Sequence, residues 1–305
     1  MGRDERLLAL SELPFQTVGR SDGRTAARSF RDALRDLVSQ RSLLWLFIRR
    51  DLKSRYKDSV LGLTWTLVRP LTQLIIYWVV VGKFLGAERG IPMFAIYIFT
   101  GLVAYGLFQE IVSSSTTSIL SNSGLIKKVY VPRELFPLAA TGTAIFNFLM
   151  QFTILLAAAV ILGNFRITWN LLYLVPSFLL LLTFGLACGL ALAAWNVYLR
   201  DVAYLVEVGL MVLMWASPIL YSWQMVRDVL AGLGTPWLIE LYTNNPITLA
   251  ILGFQEAVWG TTAHGLALPE GLPLRMTVAL LCCLVLLYGS QRMFARLQGN
   301  FAQEL

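Results

Sequence analysis

Apolar residues in this chain come in blocks of about 20, the length at which a helix rising 1.5 Å per residue crosses a hydrocarbon layer of about 30 Å. Six blocks are legible, at about residues 62–85, 93–113, 135–162, 171–196, 202–221 and 274–294. They predict helices, because strands of a membrane barrel are about 10 residues long and alternate in polarity. Ahead of the first block, Trp45, Ile48, Leu52 and Tyr56 share one helical stripe, and Arg49, Lys53 and Lys57 a neighbouring one. That segregation predicts an amphipathic helix over residues 42–60, lying in the membrane surface, with Arg55 near its apolar edge. Residues 1–41 form a polar, Arg-rich tail in which Phe30, Leu34, Leu37 and Val38 predict a short surface helix. The tail lacks the apolar run of a cleavable signal peptide.

Breakers divide the rest. Arg69-Pro70 interrupts the first block near its start, where the Arg can snorkel back to the headgroups, and Pro137 falls in the first turn of the third. The run Ser113 to Ser118 leads out of the second block into a connector, where a short helix is expected over about residues 122–132. Residues 222–273 hold Trp223, Trp237 and Trp259 among breakers at Gly232, Gly234, Pro236 and Pro246, with an apolar run from Pro246 to Phe254 too short to span. Two short helices within 222–262 that dip into the outer leaflet and return are expected. Counting a seventh span instead would put Arg292 and Arg296 outside, against the positive-inside rule.

Composition agrees with the pattern. The 305 residues are 57% hydrophobic and 14% charged, and mean hydropathy is +0.65, far from the mixture of a soluble domain. The net charge of +7 does not point to nucleic acid, because the basic residues lie where topology requires them. Most fall in residues 1–60, in the connector at Lys127, Lys128 and Arg133, and at Arg200, Arg292 and Arg296. Lys83, Arg89, Arg166, Arg227 and Arg275 fall in the alternate segments. The bias sets both termini in the cytoplasm.

Candidate chemistry is sparse. No segment matches the phosphate-cradling loop G-x-x-x-x-G-K-[ST], so any ATP chemistry belongs to a partner, and this chain is expected to bind no cofactor. His264 has no second ligand nearby, and Cys188, Cys282 and Cys283 all lie in apolar blocks, so neither a metal site nor a disulfide framework is indicated. Glu110 and Glu207 lie near the inner ends of their blocks, where pairing or snorkelling explains them. A polytopic transferase would have only Glu110, Asp201, Asp228, Glu240 and Glu256 as acids, with no nucleophile and base arrangement. Aromatic faces stack on sugar rings, and Gln73, Asn147, Gln151, Ser217 and Gln224 offer polar partners for their hydroxyls.

Five segments carry a resemblance. These are Arg50 to Trp65 with Arg69-Pro70-Leu71, the connector Leu125 to Pro137, the turn Tyr198-Leu199-Arg200-Asp201-Val202, Ser217-Pro218-Ile219-Leu220-Tyr221, and Asn244-Asn245-Pro246-Ile247. In this order they resemble the permeases of ABC-2 type exporters of O-antigen, capsule and teichoic acid, over about residues 42–300. The resemblance implies an all-α, six-span domain over residues 61–300, paired as a homodimer around a channel in the bacterial cytoplasmic membrane. It implies a separate ABC ATPase and an undecaprenyl-pyrophosphate-linked glycan as cargo. Leu125, Ile126, Lys127, Lys128, Val129, Tyr130 and Val131 would then seat in the ATPase, with Arg200 and Asp201 as a second contact. Arg49, Arg50, Lys53 and Arg55 would meet the lipid pyrophosphate among the inner-leaflet lipids. Gln73, Tyr77, Trp215, Ser217 and Tyr221 become channel-lining candidates, and Trp223, Trp237, Asn245 and Pro246 fall on the gate helices. A drug or small-lipid exporter of the same superfamily is the alternative.

Overall fold

The computed structural model describes residues 40–56, 64–84, 86, 90–128, 131–162 and 167–305. The polar tail to residue 39, Val129, Tyr130 and the side chain of Arg55 lie outside the described residues. The elements below belong to the compact unit Ser39–Leu305, and among the described residues every regular element is a helix.

Helix α1 is Arg41–Tyr56, and α2 is Trp65–Tyr77, continued by a π-helical segment, Trp78–Phe84. Pro70, inside α2, lacks the N–H that would bond one turn back. Helix α3, Phe94–Ser121, runs 28 residues, past the expected end at residue 113. The polar run does not break it, because its hydroxyls turn back onto their own helix: Thr116 donates to Val112 O at 2.7 Å and Ser118 to Ser115 O at 2.7 Å. Beyond it, α4 covers only Ser123–Ile126, less than the expected 122–132.

Helix α5 is Leu135–Ile161, with Pro137 in its first turn. Helix α6 is Leu174–Tyr198, entered through the 3-10 turn Trp169–Tyr173. Helix α7, Val202–Trp215, ends short of the expected residue 221, since Pro218 removes a donor and disfavours helical geometry at Ser217. The outer segment forms three helices where two were expected: α8 (Trp223–Gly232), α9 (Pro236–Thr243) and α10 (Pro246–Val258). Gly234, at φ +68°, and the prolines opening α9 and α10 make the divisions. Helix α11 is Leu272–Leu297, and α12, Phe301–Glu304, closes the chain.

Among the described residues four helices, Phe94–Ser121, Leu135–Ile161, Trp169–Tyr198 and Leu272–Asn300, are long and apolar enough to cross a membrane. The first and fifth predicted spans correspond to shorter apolar helices, Pro70–Phe84 and Val202–Trp215. Helix α3 is central: 78% of its most apolar stretch is buried, against 28% for α5 and 22% for α11. It packs on α2, α5, α6, α7 and α10, while α6 lies between α3 and α11. Gly185 and Gly189 let α6 approach α3 closely, since a Cβ on Gly189 would stand 2.7 Å from Ser115 Cβ. Helix α10 is buried from Ile247 to Val258, and its Phe254 meets Phe148 and Phe152 edge-on. Exposed apolar side chains such as Leu205, Val212, Leu281 and Val285 turn outward, as contact with lipid tails requires.

Candidate functional site

The segments expected on one membrane side meet at one end of the bundle. Helix α1 lies on α5, with Phe47 stacked on Phe136 at 5.4 Å and Ile48 filling the space above Gly142. Arg50 Nη2 donates to Asn122 Oδ1 at 2.7 Å, joining α1 to the residue that opens the connector. Asn122 in turn donates to Ser118 O at 2.8 Å. At the other side of this end, Tyr198 Oη donates to Leu297 O at 2.9 Å, and Phe301 packs against both Tyr198 and Phe294. The Arg133 guanidinium lies over the Phe301 ring, 5.7 Å from its centre. The connector, the 199–201 turn, α1 and the C-terminal end are thereby collected together.

Within this end, Leu125 and Ile126 are half-buried, while Lys127, Lys128, Arg200 and Asp201 are exposed. Val131, within the connector, is half-buried as well. A polar cleft of about 370 Å³ opens between α1, the end of α3 and α5, lined by Arg50, Asp51, Ser54, Ser118, Asn122 and Thr143. Of the basic residues expected at the inner leaflet, Arg50 is engaged within the protein: it pairs with Asp51 at 2.8 Å and lies over Phe47. Arg49 and Lys53 are exposed on the same helix.

The opposite end gathers the outer segments. The Pro218 carbonyl accepts from Tyr97 Oη at 3.2 Å and from Gln255 Nε2 at 2.8 Å, so α3 and α10 both pin the Ser217 to Tyr221 turn. Ser217 is fully buried, with its hydroxyl on Leu213 O. Tyr221 is half-buried and donates to Trp215 O, while the Trp215 ring is exposed. Gln73, half-buried on α2, reaches Tyr77 Oη at 3.4 Å and Met214 of α7. Trp223 is buried and donates to Thr243 Oγ1 at 2.8 Å, whereas Trp237 is exposed. Asn245 caps α10 by accepting the Ile247 N–H at 3.0 Å, and Pro246 takes the first helical position, where its missing donor costs nothing. Arg275, at the start of α11, holds both Glu240 and Asn244 of the α9 end. The Arg275 hydrogen bond keeps the Glu240 carboxyl below the usual carboxylate range.

Residues not singled out from the sequence as site residues carry these junctions, Asn122 at one end, where Asn196 also donates to Thr116 O at 3.0 Å, and Gln255 and Arg275 at the other. A polar residue inside an apolar block was the available signal for Asn196. For the others the contact partner lies far along the chain.

A family model described as ABC-2 type transporter matches residues 42–259. The O-antigen export system permease protein RfbA of Myxococcus xanthus is 28% identical over 272 residues, spanning 89% of this chain and 98% of that protein. Two proteins of the same description from Klebsiella pneumoniae are 28% and 27% identical over 217 and 225 residues, spanning 70% and 73% of this chain and 79% and 82% of their own lengths. The resemblance carried by the five segments is thus borne out at chain length. With three membrane-length helices described in the matched region and its motif segments gathered at two ends of one bundle, the chain belongs to the ABC-2 type transporter family.

Proposed function

We propose that this chain is the channel-forming subunit of an ATP-driven exporter that moves an undecaprenyl-linked polysaccharide, an O-antigen, teichoic acid or related glycan, across the cytoplasmic membrane. The observation that carries the reading is the match over 98% of the Myxococcus relative, an O-antigen export permease. Two copies form the conduit, and an ABC ATPase that binds ATP and Mg2+ docks at the connector end, which faces the cytoplasm together with both termini. The basic side chains at that end support this orientation. Leu125, Ile126, Lys127 and Lys128 are the main contact and Arg200 with Asp201 the second. Arg49 and Lys53, exposed on α1, meet the lipid pyrophosphate, while Arg50 braces α1 against the connector.

Replacing Leu125 and Ile126 with Asp tests the docking role. Both side chains are only half-buried, so the permease is expected to purify with unchanged thermal unfolding. Co-purification with the ATPase and polymer at the cell surface are expected to be lost. Export at the wild-type level from the doubly substituted chain would refute the reading.

A further inference from the structure

Asn196 is fully buried in the last turn of α6. Its Nδ2 donates to the Thr116 carbonyl of α3 at 3.0 Å, and its Oδ1 accepts the Ala203 N–H of α7 at 3.2 Å. One side chain therefore joins three helices. The start of α7 explains the need. First-turn N–H groups of a helix have no partners within it, and the residue before the helix ordinarily offers a side-chain oxygen. Asp201 holds that position and is of the preferred type, yet its carboxylate makes no cap, and its backbone at φ −69°, ψ −15° is already helical. Asn196 supplies the cap from the preceding helix. Asp201 stays exposed beside Arg200.

The same side chain fixes the turn against α3. Gly185, Gly189 and Asn196 recur at helical spacing on the α6 face that meets α3. A Cβ at Gly185 would come within 3.1 Å of Ile111 and one at Gly189 within 2.7 Å of Ser115, so the two helices pack backbone to side chain with no room for a side chain at either glycine. Helix α3 runs directly into Asn122 and α4. The connector thus hangs from one helix of a locked pair, and the 199–201 turn from the other.

We propose that Asn196 is the positioning residue that holds the connector and the Arg200-Asp201 turn as one rigid docking surface, so that displacement of either by the ATPase reaches α3 and α7 together. The inference rests on the exporter reading given above. Two substitutions test it in the full chain, introduced at the native locus and purified with the cognate ATPase. Asn196→Ala removes both bonds. Asn196→Leu fills nearly the same volume with neither donor nor acceptor.

In both variants the complex is expected to form at wild-type yield and hydrolyse ATP at a rate within about twofold of wild type. Surface polymer is expected to fall about tenfold, inside the range of about 5 to 150-fold typical of coupling between sites. Wild-type polymer levels in both variants would overturn the proposal. So would a loss of polymer matched by an equal loss of complex, which would make Asn196 a folding residue only. A wild-type chain that binds no ATPase, or whose deletion leaves surface polymer unchanged, would remove the exporter reading itself and the proposal with it.

Discussion

At the residue scale, close helix approach depends on a few positions without side chains. Gly189 faces Ser115 with no room for a methyl, whereas nothing lies within 4 Å of a Cβ at Gly209. Gly189→Val is expected to destabilise the permease by about 1–3 kcal/mol through overpacking. Gly209→Ala is expected to leave thermal unfolding in detergent unchanged or slightly higher, since Ala favours helix over Gly. Equal melting temperatures for the two variants would argue against a locked α3–α6 pair. Asn245→Ala removes the α10 cap and is expected to cost about 1 kcal/mol. Pro246 was legible in the sequence as a break before an apolar run, without Asn245 being singled out as its cap. The glycine contacts were not, because a glycine in an apolar block looks the same whether it faces lipid or another helix.

At the element scale, α9 is held to α11 by Arg275, which bonds Glu240 at 2.6 Å and Asn244 at 3.0 Å. The Arg275 hydrogen bond lowers the Glu240 carboxyl, so the latch contributes above the ordinary carboxylate value of about 4.3 and is lost as pH falls through the lowered folded value. Both partners are partly solvated, which limits the contribution to about 0.5 kcal/mol. Arg275→Gln is expected to melt below wild type at neutral pH and by a smaller margin under strong acid, where the bonds to Asn244 and to the Glu270 carbonyl remain. A difference of equal size at both pH values would assign the loss to those bonds and to packing and not to Glu240. Helix boundaries were the least legible feature. Periodicity marks where apolar positions recur, but the hydroxyls of Thr116 and Ser118 decide by their own hydrogen bonds that α3 continues past the apolar block.

At the scale of the whole molecule, the unit Ser39–Leu305 has two polar ends separated by apolar flanks. In a chain whose native cysteines are replaced by serine, cysteines introduced at Lys128 and Asn300 are expected to resist a membrane-impermeant thiol reagent on intact cells. A cysteine at Leu233, exposed in the outer segment, is expected to react. Labelling at Asn300 from outside would invert the proposed orientation and detach the ATPase from the connector end. The alternation of basic and apolar segments made this two-ended arrangement readable. Burial of α10 inside the bundle was not readable, because a short apolar run serves equally as a core helix or a re-entrant one.

The sequence by itself determined the helical, membrane-adapted class, the segments that share a side, and the family, because apolar block length, basic flanks and local motifs are properties of neighbouring residues. Only the tertiary structure decided which helix is central, that Arg50 is spent on Asp51 and Asn122, and that Asn196 caps α7 in place of Asp201. Those outcomes depend on which distant groups compete for one donor or acceptor, and that competition exists only once the helices have packed.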